Sequence, residues 1–126
     1  MSISETAMAF FDACETGRGW DACRPWCAED AGFACQAEML ADVTTLAGYC
    51  DWMKGLIEAV PDGRYEMKAH GPGADGASWM AYAVFKGTMK DEAGGAKPIA
   101  SDYVYVMTFD GGKVAGMTKI WNDKAI

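Results

Sequence analysis

The sequence has a single histidine, His70. One imidazole excludes any site built from several histidines of one chain, and it leaves a Ser-His-Asp triad little to stand on. No apolar run reaches the ~18 residues that a membrane span needs. The opening stretch MSISETAMAFF has no positive n-region before its apolar part, so no secretory signal is expected. Basic residues are few: 11 against 18 acidic ones, scattered singly, for a net charge of −7. Such a chain repels nucleic acid and anionic lipid. There is no CxxC pair. The 5 cysteines (Cys14, Cys23, Cys27, Cys35 and Cys50) are odd in number. Cys23 and Cys27, four apart, would share one helix face, but they do not make the four-ligand set of a zinc site. The cysteines read as small apolar packing residues in a reducing cytoplasm. No metal and no cofactor is expected.

What is present suffices for one domain. With 126 residues, 51% apolar and 23% charged, the chain is globular rather than disordered. A chain of this size buries about two-thirds of its unfolded surface without staples. Residues 1–126 therefore read as a single domain, with no internal repeat or linker.

The hydrophobic period divides the chain in two. Ser2 to Glu15 predicts a first helix, opened by a capping box of Ser2 and Glu5. Met8, Phe11 and Glu15 lie on its apolar stripe beside Ala7, Phe10 and Cys14. Gly17 and Gly19 end it. Trp20 to Cys27 predicts a short second helix interrupted by Pro25. Ala31 to Gln36 is a small candidate strand. Asp42 or Thr44 caps a third helix whose buried face is Leu46, Tyr49, Cys50, Met53, Leu56, Ile57 and Val60, and Pro61 stops it. Beyond Gly63 the period becomes 2. Strands are predicted over Arg64 to His70, Ser78 to Lys90, Ile99 to Phe109 and Val114 to Asn122, with Asp110-Gly111-Gly112 as a hairpin turn. In the first of these, Tyr65, Met67 and Ala69 share one side, and His70 lies on the polar side, exposed.

Strands 78–90 and 99–109 are apolar on both faces, so both faces need cover. Three helices can cover one. A second subunit is inferred for the other. The fold class is α+β, with three N-terminal helices packed on a curved, mostly antiparallel sheet.

Three segments carry a family resemblance. AFFDACETGRGWDA is similar to a first helix and its glycine-containing turn. CAEDAGF is similar to an "Asp-Ala-apolar" entry into a first strand, and FDGGKVAGMTKIWND to a last hairpin. Together they resemble the nuclear transport factor two-like superfamily, in its branch of SnoaL-like polyketide cyclases and ketosteroid isomerases. The resemblance implies a cone-shaped, barrel-like fold with a pocket between helices and sheet, and a homodimer through the outer sheet face. It does not settle function, because this fold serves unrelated chemistries.

The resemblance also implies positions for catalytic groups. The isomerases' tyrosine donor falls on Phe10, their aspartate base on Cys35, and their protonated aspartate on Tyr105. The cyclases' essential aspartate falls on Lys119. All four depart from the family pattern. Phe10 cannot donate a hydrogen bond, and a thiol with a pKa near ~8.5 is a poor base unless perturbed.

Lys119, Met117 and Trp121 share one face of the last strand by period 2, and Tyr103, Tyr105 and Met107 share one face of the strand before. Both faces are expected to line the pocket. Lys119, Tyr105 and Cys35 are the candidate catalytic groups. Phe10, Tyr49, Trp52, Met53, Tyr103, Met107, Met117 and Trp121 are the candidate ligand contacts. An inward Lys119 needs an anionic partner or a lowered pKa. A ligand carboxylate or Schiff-base chemistry would satisfy it. An outward Lys119 would pair with Asp102 or Asp123.

Two functions stand side by side at this point. One is binding of a small apolar or aromatic ligand, with a carboxylate as one option, and isomerase-, cyclase- or lyase-like chemistry as a possibility. The other is a non-catalytic association module of the same fold, using Trp79, Tyr82 and Trp121. Side chains filling the cone interior would favour the second. Nucleic acid and membrane are not expected partners, and the expected location is cytoplasmic.

Overall fold

The computed structural model describes residues 2–126. Helix α1 spans Ile3–Glu15, and its start is held as the capping box predicts: Glu5 N–H donates to Ser2 Oγ, and Ser2 N–H to Glu5 Oε1, each at 3.1 Å. Its buried face is Ala7, Phe10, Phe11, Ala13, Cys14 and Glu15, whereas Met8 is only half-buried. Gly17 ends the turn at φ +76°, and a Cβ there would lie 2.7 Å from Ile57. That glycine is needed for conformation and for the close approach of α1's exit to the third helix.

Helix α2 (Trp20–Cys23) is shorter than expected. Arg24–Trp26 tightens into a 3-10 turn around Pro25, whose missing N–H cannot continue a helix. Cys27 is therefore the first residue of strand β1 (Cys27–Cys35), not a neighbour of Cys23 on a helix face. β1 begins four residues before the expected Ala31. The polar Glu29 and Asp30 hid this extension, because they sit exposed on an edge strand whose register shifts between Cys27 and Gly32. Helix α3 (Leu46–Ala59) is capped by Thr45, whose Oγ1 accepts from Gly48 N–H at 3.0 Å, rather than by Asp42 or Thr44. Leu46, Tyr49, Cys50, Met53 and Val60 are buried as expected, while Leu56 and Ile57 are half-buried at the helix's outer end.

Strands β2 (Arg64–Pro72), β3 (Ser78–Lys90), β4 (Ala96–Asp110) and β5 (Lys113–Trp121) complete one sheet of order β1-β5-β4-β3-β2. Only β1 and β5 pair in parallel. The β4–β5 turn places Gly111 and Gly112 at φ +59° and +79°, the left-handed pair that a tight hairpin needs.

Register decides which side chains meet. Met107, Tyr105 and Tyr103 on β4 lie opposite Met117, Lys119 and Trp121 on β5, and Phe33 and Cys35 on β1 lie beside Met117 and Lys119. All of these face the helices, so the expected inward faces of β4 and β5 are found. One expectation fails on β2. A register shift between Met67 and Ala69 places Ala69 opposite Tyr82 and His70 opposite Ala81. A slip of one residue exchanges faces. His70 is therefore exposed, as expected, but on the helix side, with its ring 5.5 Å from that of Trp79. The opposite sheet face carries Met80, Tyr82 and Ile120, exposed by 43%, 40% and 49%. No helix among the described residues is long and apolar enough to cross a membrane.

Candidate functional site

The cone interior is chiefly apolar and aromatic, and Lys119 interrupts it. Near the C-terminal end of β5 and facing inward, it is 4% exposed. Its Nζ donates to Tyr49 Oη at 3.0 Å, and Tyr49 and Tyr105 share a hydroxyl–hydroxyl hydrogen bond. Five rings surround the nitrogen, with centroids at 4.4 Å (Trp121), 5.1 Å (Tyr49), 5.2 Å (Tyr103), 5.6 Å (Trp52) and 5.9 Å (Tyr105). Ring faces attract a cation. Among the described residues no carboxylate oxygen lies within 4.0 Å of it. The outward alternative is thereby corrected: Asp102 instead accepts from Tyr82 and Asn122 on the other face.

A second ionisable group enters from the helix layer. Glu15, the last residue of α1, is 1% exposed, and neither carboxyl oxygen has a hydrogen-bond partner. The Tyr103 hydroxyl is likewise buried and unpartnered. Glu15, Lys119, Tyr103 and Trp121 line one cavity of about 10 Å³, together with Met53, Leu56, Phe85 and Ile126. That is roughly the volume needed to seat one water.

Burial sets the protonation of this group of side chains. It pushes the Glu15 carboxyl up, against the pull of the Lys119 charge and of the Tyr105 and Tyr103 hydroxyls. The negative end of the α1 dipole acts in the same upward direction. Burial pushes Lys119 down, against the opposing pull of Glu15 and, more weakly, Cys35. Tyr49, Tyr105 and Tyr103 are all raised, by burial first and then by Glu15 or neighbouring groups, so they stay protonated donors. An acid shifted up and an amine shifted down on one cavity have their proton affinities drawn toward one another, the direction acid–base chemistry needs.

Side chains around the cavity fix its geometry. The Gln36 amide donates to Trp121 O at 2.7 Å and accepts from Trp121 N–H at 3.1 Å, continuing the β1–β5 ladder past Cys35. Trp121 Nε1 donates to Ser101 Oγ at 2.7 Å, and Ser101 Oγ donates to Asn122 O at 2.8 Å. These bonds hold the indole over Lys119.

The sequence-predicted residues divide accordingly. Lys119, Tyr103, Trp121 and Met53 line the cavity, and Tyr49, Tyr105 and the half-buried Trp52 surround the Lys119 nitrogen. Phe10, Met107 and Met117 pack in the core. Cys35 lies beside Lys119 in register, but its Sγ is held in the strand exit, donating to Gln36 Oε1 at 3.6 Å and accepting from Ala37 N–H at 3.5 Å. Glu15 was missed as a site residue. Its signal was an acid on the apolar stripe of α1.

The fold and site define an α+β cone with a buried acid–amine pair in its interior. The chain belongs to the SnoaL-like domain family, whose profile matches residues 7–117. No curated protein gives a significant match. Solved structures similar to it include IdmH from Streptomyces antibioticus, a candidate polyketide cyclase (14% identity, TM-score 0.79, covering 99% of this chain and 95% of that one). Another is a candidate SnoaL-like polyketide cyclase from Jannaschia sp. CCS1 (17% identity, TM-score 0.77, 98% and 87% covered). A third is the epoxide hydrolase/cyclase-like enzyme SalBIII of pyran ring formation in salinomycin (20% identity, TM-score 0.72, 98% and 92% covered). At these identities the likeness is one of fold.

Proposed function

We propose that the protein binds a small apolar or aromatic ligand bearing a carbonyl or carboxylate oxygen, at the acid–amine end of the cone, and acts on it in an isomerase-, cyclase- or lyase-like manner. The observation that carries this reading is the burial of Glu15 and Lys119 without a direct ion pair between them. Ionisable groups buried in this way are costly to a fold and cluster at functional sites. Lys119 with the Tyr49–Tyr105 pair supplies donors for an oxygen, and the rings supply an apolar wall. Binding requires the lining to move apart, because the cavity is smaller than any such ligand. Membership of the SnoaL-like family, and a fold shared with a cyclase-like enzyme, support the reaction classes named.

A thermal-shift screen of aromatic ketones and carboxylic acids tests the reading. A ligand at a hundred times its Kd adds about 2.7 kcal/mol, or roughly 10 °C for a chain of this length. Absence of any shift, or equal shifts in Lys119→Met, refutes it.

The nearly filled interior favours a second reading, a non-catalytic association module. Buried Trp79 and Trp121 could not touch a partner in that case, which leaves Met80, Tyr82 and Ile120 on the outer sheet face. Under either reading we place a second copy of the chain on that face.

A further inference from the structure

We propose that Lys119 is an amine nucleophile that forms an imine with a carbonyl ligand, with Glu15 as the acid and base that moves the protons. The proposal rests on the reading of the cone interior as a ligand site and names the substrate class: a ketone or aldehyde, in particular a β-dicarbonyl.

The geometry carries it. Lys119 Nζ has one hydrogen bond, to Tyr49, and no carboxylate within 4.0 Å, so it is not committed to an ion pair. Glu15 opens on the same cavity with both oxygens unpartnered. Burial drives the pair toward amine and carboxylic acid, the forms that imine formation consumes. The surrounding rings exclude bulk water, which would hydrolyse the product.

The steps balance as follows. The Nζ lone pair attacks the carbonyl carbon, a C–N bond forms, and the π pair moves to oxygen. That oxygen takes the Glu15 proton, while the nitrogen gives one to the Glu15 carboxylate, leaving a neutral carbinolamine. Glu15 then protonates the hydroxyl, the C–O bond breaks, and water leaves as the nitrogen pair forms the C=N bond. The product is an iminium beside the Glu15 carboxylate. With a β-dicarbonyl, that carboxylate removes the central C–H proton to give a neutral enaminone.

The experiment uses pentane-2,4-dione on the full chain, read by near-ultraviolet absorbance of the enaminone and by peptide mass spectrometry. Expected is a mass gain of one dione less one water on the peptide containing Lys119. Its rate should be at least tenfold above that at exposed Lys54 at neutral pH. Lys119→Arg should remove the adduct. Glu15→Gln should slow it at least tenfold while leaving Lys54 unchanged. Circular dichroism establishes that each variant is folded. Adducts confined to exposed lysines of the native chain overturn the proposal, as does an equal rate in Glu15→Gln. Ligand-induced thermal shifts without an adduct refute the imine and leave the binding reading standing. Loss of both removes the two together.

Discussion

The coupling between Glu15 and Lys119 is the quantity on which the site stands, and a double-mutant cycle measures it. The perturbations are Glu15→Gln, Lys119→Met and the pair together. Two unit charges 4 Å apart attract by about 4 kcal/mol at an effective dielectric of ~20. Here the groups are farther apart than 4.0 Å, so about 4 kcal/mol is an upper bound. Contacting networks couple by about 0.5–3 kcal/mol. The expected coupling is therefore about 1–3 kcal/mol, with the double variant more stable than the sum of the single changes. In urea, with a slope near 2 kcal/mol/M, the coupling appears as a midpoint displacement of roughly 0.5–1.5 M.

The pH arm separates charge from packing. The Glu15 carboxyl is raised above its ordinary 4.5 in the folded chain. A raised acid is protonated in both states at low pH. As pH climbs past the unfolded value, the unfolded chain ionises first, and the native state loses stability until the folded pKa is passed. Glu15→Gln removes that loss. Its stability relative to the parent should be near zero at pH 4 and should rise through neutrality. Lys119 runs the other way: lowered from its ordinary 10.5, it destabilises the native state progressively as pH falls from 10.5 to the folded value, and Lys119→Met should gain most below that value. A coupling under about 0.5 kcal/mol, or a Glu15→Gln offset unchanged between pH 4 and pH 8, would refute the account.

Two further outcomes follow from burial. Of the 5 cysteines, only Cys35 is partly exposed, so an aromatic disulfide reagent should titrate one thiol per native chain and the remainder after unfolding. Cys23 sharpens this, since the neighbouring Cys14 and Cys50 thiols lower its pKa, yet it is fully buried; reaction of Cys23 as fast as Cys35 would mean that the helix layer opens. For the outer sheet face, sedimentation at micromolar concentration should give a dimer, and Ile120→Lys should give a folded monomer. A parent chain already monomeric refutes the second copy.

Legibility in the sequence tracked how much local physics fixed each element. β3 was readable to the residue over Ser78–Lys90, because both of its faces are apolar and turn residues bound it. The capping box at Ser2 and Glu5 placed α1 for the same local reason. Misreadings arose where pairing partners decide. β1 extends back to Cys27 because β5 offers it a parallel partner, which the Glu29-Asp30 pair disguises. The β2 shift that turns His70 toward the helices needs β3's register to be seen.

The candidate site divides along the same line. Period 2 was enough to place Lys119, Tyr103, Tyr105 and Trp121 on inward faces. It could not say what Lys119 meets inside the cone, because its hydrogen-bond partner Tyr49 stands on α3 and the Glu15 carboxyl that shares its cavity lies more than a hundred residues away on α1. Glu15 reads locally as an ordinary acid closing a helix before glycine, and helix propensity is content with it there. Its position is nonetheless anomalous on two counts that local physics supplies. It occupies the i+4 place after Phe11 on a buried stripe, and it puts an acid at the negative end of a helix. Neither is what a fold selected for stability alone would choose. The four positions that the resemblance assigns to catalytic groups hold Phe10, Cys35, Tyr105 and Lys119, and the buried carboxyl group of this cone lies instead at the end of α1, at Glu15.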